Sequence, residues 1–261
     1  MKSYQKLLSF GCSFTQGGGL NSPKFHRWLE HGMSLPEDEG IGPHENLLPE
    51  HEEYANQHSY PGYLSRKLGC EFVNFGLSGA SNDYIFKKAY EEISKLEDPE
   101  NTLVTIQSTF FNRLYLNVPN LDMPINMNNL ETARGYFPKS SPLNDVVYEF
   151  YKTYLGYFYD PKAEYEKLRR LVDTTGSYCK EKGVDVVFLI YYDLEFQVPI
   201  QHPDRVSFLE FPDMMSLGYS GKMNITPYTN NRFKDAHFSP VGNNAISNLV
   251  YLHLENKSGD K

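Results

Sequence analysis

The sequence predicts an α/β fold built on a parallel sheet with helices on both faces. Two observations carry that expectation. Short apolar runs of strand length alternate along the chain with longer segments of helical periodicity. The strand runs are apolar almost throughout, the pattern of strands buried on both faces by crossover helices. A length of 261 residues, without internal repeats or a low-complexity linker, suits one large domain spanning 1–261.

The elements follow in order. "KLLSF" (Lys6–Phe10) reads as a buried strand, and "SYPGYLSRKLG" (Ser59–Gly69) as a short helix ended by glycine. "CEFVNFG" (Cys70–Gly76) is a second strand, followed by a polar-capped helix over Ser81–Glu97. Asn82 is the residue that the spacing marks as its cap. "NTLVTIQ" (Asn101–Gln107) is a third strand. Asp160–Gly183 is a long amphipathic helix with Pro near its start and Gly just past its end. "VDVVFLIYY" (Val184–Tyr192) is a fourth strand, and Ser239–Lys257 a final helix with Ser239 as cap and Pro240 at its first position.

Three stretches break this rhythm: about 16–58, 113–160 and 194–234. The first is rich in Gly, Pro, His and Glu and weakly periodic. The second turns helical from about Leu143, and the third holds a possible fifth strand, "VSFLEF" (Val206–Phe211). Each insertion follows the C-terminal end of a strand, the edge of an open α/β sheet where ligands bind.

Composition excludes several classes. A net charge of −8 without a Lys/Arg cluster argues against nucleic-acid binding. No segment approaches the roughly 18 apolar residues of a membrane span, and the opening "MKSYQKLLSF" is too short an apolar run for a secretory signal. Cys12, Cys70 and Cys179 are too few and too scattered for a disulfide framework or a zinc site, so a cytoplasmic protein is expected. Twenty Tyr and 17 Phe suit clefts for polar or carbohydrate-like ligands, and equally an aromatic core.

Three short motifs carry chemistry. "GCS" (Gly11–Ser13) turns sharply after the first strand. A serine hydroxyl attacks well only when a histidine takes its proton and an acid orients that histidine. "DAHFSP" before the last helix offers Asp235 and His237. "NFGLSGASND" (Asn74–Asp83) supplies a glycine turn near a helix start, where backbone N–H groups can face a developing oxyanion.

Gly-x-Ser, then "NxGxSG", then Asp-x-His before the final helix together resemble the SGNH (GDSL-type) hydrolases, in the family's order and over nearly the whole chain. The resemblance implies a three-layer α/β/α sandwich with a mostly parallel five-stranded sheet of flavodoxin-like type. It implies Ser13 as nucleophile, His237 as general base, Asp235 as its support and Gly79 as an oxyanion donor, with no cofactor. The implied activity is hydrolysis of an acyl ester, acetyl in the first instance, with a small-molecule or glycan ester as substrate. The oligomeric state stays open.

The chain departs from the family pattern in three places. Cys12 stands where the family has aspartate, and reads as buried packing beside the nucleophile. Asp235 precedes His237 by two residues rather than the family's three, which leaves a backbone carbonyl as an alternative orienter. The usual Gly-x-Asn-Asp after the third strand is replaced by "QSTFFNR". There Ser108, Thr109 or Asn112 is the candidate side-chain donor, and Arg113 a candidate for an anionic substrate group or a surface ion pair. Asn82 is a lesser candidate for lining the site. The altered third motif and the shortened Asp-His spacing keep a non-catalytic binding or structural protein on the same scaffold in view, and within the enzyme class an O-acyltransferase is the related alternative.

Other candidates weigh less. Five of the eight histidines, His26, His31, His44, His51 and His58, fall in the first insertion among glutamates. Their spacing matches no short metal motif, and a hydrated acidic lid is expected. His202 and His253 read as structural, and Asp193 as a turn residue at the ligand edge.

Overall fold

The apolar runs pair into an open twisted sheet. The computed structural model describes residues 2–21, 26, 48–116, 125–127, 130, 137, 140–191, 205–211, 238 and 240–259. Its strands are β1 (Lys6–Gly11), β2 (Glu71–Gly76), β3 (Thr102–Gln107), β4 (Leu114–Leu116), β5 (Ile125–Met127), β6 (Asp185–Tyr191) and β7 (Val206–Phe211). Five of them form one sheet in the order β2-β1-β3-β6-β7. Every pair in it is parallel, with Lys6 of β1 opposite Glu71 on one side and Thr102 on the other. The expectation of a mostly parallel sheet is therefore sharpened to an all-parallel one. The antiparallel pair β4–β5 is a separate hairpin in the second insertion, too short for its pattern to show in sequence.

Seven α-helices are described: α1 (Ser13–Gln16), α2 (Pro49–His58), α3 (Tyr60–Leu68), α4 (Asn82–Ile93), α5 (Leu143–Thr153), α6 (Pro161–Lys182) and α7 (Pro240–Gly259). A π-helical turn, Tyr154–Phe158, extends α5. α4 and α6 pack on each other, while α3 packs on α7, so the sheet is covered on both faces. This is the three-layer α/β/α architecture that the SGNH resemblance implies. The core follows the strand pattern: Leu7, Phe10, Leu103, Val104, Ile106, Phe188 and Leu189 are fully buried. Ile85, Phe86, Ala89 and Ile93 line the inner stripe of α4, and Leu168, Val172 and Cys179 that of α6. β2 is an edge strand and half-exposed along its length, whereas β1 and β3 are buried.

Two sequence expectations are corrected. The helix after β2 is capped by Ser81, whose extended backbone (φ −86, ψ 166) lets its hydroxyl accept from Tyr84 N; Asn82 is the first helical residue. Residues 49–58 of the first insertion form helix α2, which periodicity misses because Ala55 is its one buried residue. The described histidines of that insertion stack on one another or on tyrosine. His26 lies 3.9 Å from His51 and Tyr54 lies 3.9 Å from His58, ring centre to ring centre. Among the described residues no three His, Cys, Asp or Glu side chains converge as a metal site, and no helix is long and apolar enough to cross a membrane. His31, His44, Asp193, His202 and Ser239 lie outside the described residues.

Candidate active site

β1 runs out at Gly11, and the chain turns at Cys12 into the single helical turn of α1. The turn is possible because two strand ends carry no side chain. A Cβ on Gly11 would stand 1.9 Å from Thr15 Oγ1, and one on Gly76 would stand 2.3 Å from the Gln16 backbone nitrogen. α1 therefore lies directly over the C-terminal ends of β1 and β2. Thr15 Oγ1 donates to Gln107 Oε1 at the end of β3. Asn74 Nδ2 donates to Thr15 O at 2.9 Å, and Asn74 Oδ1 accepts from Gly76 N at 3.0 Å. The asparagine of the second motif is thus a brace for the serine turn. Ser13 opens α1, is 4% exposed, and its hydroxyl makes no hydrogen bond to a described residue. Cys12 is buried, as the sequence reading expects, and its carbonyl accepts from Thr15 N and Gln16 N.

The second turn is tied to the first. Leu77 N donates to Gly11 O at 3.1 Å, and Ala80 N closes a tight turn onto Leu77 O at 3.0 Å. Gly79 takes the left-handed conformation this turn needs (φ 76). The third turn is tied to the second. Asn82 clamps Thr109 from both sides, its Oδ1 accepting from Thr109 N at 2.8 Å and its Nδ2 donating to Thr109 O at 3.1 Å. Ser108 N extends the β3–β6 ladder by bonding Leu189 O at 2.9 Å. Ser108 and Thr109 are both buried, and Thr109 Oγ1 is buried without a partner. Arg113, 9% exposed, donates from Nη1 to Ala80 O at 3.2 Å and lies 5.1 Å from the Phe110 ring centre. Asn112 is held through its carbonyl, which accepts from Tyr151 OH at 2.7 Å. Burial pushes the Tyr151 phenol up to about 12, with the Arg113 charge acting in the opposite direction.

Ser13, Gly79, Asn82, Ser108, Thr109, Asn112 and Arg113 thus stand on three turns at one sheet edge, linked by hydrogen bonds. Asp235 and His237 lie outside the described residues. Their neighbour Phe238 is described. Its ring packs on Phe14, 5.1 Å between centres. Its carbonyl accepts from Asn243 Nδ2 at 3.1 Å, while Asn243 Oδ1 accepts from Tyr60 N at 2.9 Å. Beneath these turns Tyr60 OH lies 3.2 Å from Thr105 Oγ1, which donates to Ser9 Oγ at 2.7 Å. Burial pushes the Tyr60 phenol up to about 12, so this polar seam stays uncharged at neutral pH. Sequence reasoning assigned no role to Asn74, Thr15, Gln107 or Asn243. Asn74 and Gln107 fall inside quoted motifs, but nothing in those motifs pointed to the contacts they make with Thr15.

Among the described residues, two open grooves lie elsewhere. One, of about 460 Å³, runs between α4 and α6 past Phe86, Lys87, Tyr90, Arg170 and Leu171. The other, of about 500 Å³, borders β2 and is lined by Gln16, Glu52, Glu53, Asn56 and Asn74. Neither is lined by Ser13.

No protein-family model matches the chain, and no curated protein matches it. Among solved structures it is similar to one described as a lipolytic protein of the G-D-S-L family from Desulfitobacterium hafniense DCB-2. The identity is 11%, the TM-score 0.42, and the match covers 94% of this chain and 97% of that one. It is also similar to a carbohydrate esterase whose active site is described as having divergent catalytic and non-catalytic binding functions. Here the identity is 10% and the TM-score 0.46, over 98% of this chain and 69% of the other. LAE5, an α/β hydrolase enzyme from the metagenome of Lake Arreo, Spain, matches at 15% identity and TM-score 0.36, over 75% and 64% of the two chains.

Proposed function

We propose that the protein is a serine ester hydrolase of the SGNH type, acting through an acyl-enzyme on Ser13. The observation that supports this reading is a pair of contacts among described residues in or beside the motifs. The serine turn and the Gly79 turn are joined by Leu77 N–Gly11 O, and Phe238, one peptide bond from His237, packs on Phe14, one peptide bond from Ser13.

In the proposed reaction His237 accepts the Ser13 Oγ proton as the oxygen attacks the ester carbonyl. Asp235 orients the imidazole and stabilises its cation. The negative charge that develops on the carbonyl oxygen is met by the N–H groups of Ser13 and Gly79, with Ser108, Thr109 or Asn112 as the side-chain donor. Collapse of the tetrahedral intermediate breaks the ester C–O bond, and the alcohol leaves with the proton from His237. Water, deprotonated by His237, then attacks the acyl carbonyl and frees Ser13. Asn82 acts by fixing the Thr109 backbone. The substrate proposed is a small acyl ester, acetyl in the first instance, of a polar alcohol such as a sugar, on the strength of the tyrosine-rich and polar insertions.

The test is labelling by a serine-directed fluorophosphonate, together with hydrolysis of p-nitrophenyl acetate. Wild-type protein is expected to label and turn over, and Ser13→Ala to lose both. A folded wild type that does neither ends the hydrolase reading. That outcome favours the second reading, a binding protein on this scaffold, which the replacement of Gly-x-Asn-Asp by "QSTFFNR" supports. Labelling that survives in Ser13→Ala moves the nucleophile elsewhere. Transfer of the acyl group to an added alcohol in place of water would identify an acyltransferase.

A further inference from the structure

Arg113 holds a buried charge with little to balance it. Its guanidinium carries five N–H donors. One of them reaches Ala80 O, and its face lies near the Phe110 ring. No described Asp or Glu lies within ion-pair distance of it. Of the ionisable groups around it, Tyr151 is held neutral by burial. Removing a charge from water without a counter-charge is costly, and such a group is retained where something of opposite sign arrives. A second observation points the same way. Thr109 Oγ1, four residues earlier on the same turn, is buried and has no partner. The Asn82 clamp fixes the Thr109 backbone on both sides, so that hydroxyl does not escape to solvent by local backbone movement. Arg113 and Thr109 both bear on the turn that carries Gly79, one through Ala80 O and the other through Asn82.

We propose that this turn is an anion subsite and that the ester hydrolysed at Ser13 carries a carboxylate, bound by the Arg113 guanidinium and the Thr109 hydroxyl, which leaves Ser108 or Asn112 as the side-chain oxyanion donor. The inference rests on the ester-hydrolase reading of the same site and gives it a substrate class. A carboxylate matches the planar fork of arginine, which donates two parallel hydrogen bonds to it, and the threonine hydroxyl adds a third donor. The carboxylate sits either on the acyl part, as in a half-ester of a dicarboxylic acid, or on the alcohol, as in an acetylated uronic acid.

Two matched substrate pairs distinguish these sources. The first is mono-p-nitrophenyl succinate against p-nitrophenyl acetate. The second is an acetylated glucuronate against the same acetylated glucose. In at least one pair, wild-type kcat/KM is expected to favour the anionic member by about tenfold or more. Arg113→Gln is expected to lower that ratio about 10- to 100-fold, the range for loss of a charge-assisted hydrogen bond. Arg113→Lys keeps the charge without the fork and is expected to lower the ratio only several-fold. It also decides the matter if the glutamine variant fails to fold. A wild-type ratio near or below one in both pairs, or a ratio unmoved in Arg113→Lys and Arg113→Gln, overturns the proposal and leaves the hydrolase reading intact. If wild type hydrolyses none of the four esters, calorimetric titration with succinate and glucuronate decides. Binding by wild type that weakens in Arg113→Lys supports the anion subsite, and no binding of either acid overturns it.

Discussion

A Cβ at position 76 would stand 2.3 Å from the backbone nitrogen of Gln16, in the turn that carries Ser13. Gly76→Ala is therefore expected to push α1 off the sheet edge. Stability should fall by about 1–3 kcal/mol, the usual cost of overpacking, and fluorophosphonate labelling of Ser13 by tenfold or more. Gly69→Ala is the control. Gly69 also has a positive φ, 65°, but nothing lies within 4 Å of an added Cβ, so it should lose stability through backbone strain alone and label normally. Urea unfolding and labelling rates check both. Ser13 and its flanking glycines were legible in the sequence because a turn after a strand leaves a local signature. The brace around them was not. Asn74 meets Thr15 across 59 positions and Gln107 meets it across 92, and neither spacing leaves a local pattern.

The helices repeat that lesson with different physics. α4 and α6 were legible because their apolar residues recur at helical spacing and face the sheet. α2 was not, since a helix that buries a single alanine has no stripe to read. The choice between Ser81 and Asn82 as cap turned on which residue takes the extended backbone, and both residue types cap equally well in isolation. α7 meets α3 through Asn243, which is buried and bonded at both ends of its amide. Asn243→Ala would strand the Tyr60 N–H and the Phe238 carbonyl. A loss of about 2–6 kcal/mol in urea unfolding is expected, from about 1–3 kcal/mol for each of the two buried groups left unpaired.

Two buried weak acids link the core of the protein to pH. Burial raises the Cys179 thiol from 9.0 to about 12 and the Tyr60 phenol from 10.0 to about 12. Both folded values lie above the unfolded ones, so the native state holds these protons longer. Their contribution is complete below about pH 9 and is lost as pH rises toward 12, at up to about 1.4 kcal/mol per pH unit for each group. Thermal unfolding between pH 8 and 11 should show a falling Tm. Cys179→Ala should flatten that slope, whatever it does to Tm at neutral pH.

The sheet order carries a consequence for how the protein assembles in time. β1, β2 and β3 are neighbours in space and all lie within the first 107 positions. The contact that brings Phe238 over the serine turn depends on the α3–α7 clamp, where Tyr60 and Asn243 are 183 positions apart. Contacts that span so much chain form slowly, because loop closure precedes any compensating interaction. In stopped-flow refolding, burial of the sheet should therefore run ahead of the reactivity of Ser13. On the proposed reading, every newly made molecule then passes through a stage in which Ser13 is in place before its proposed base.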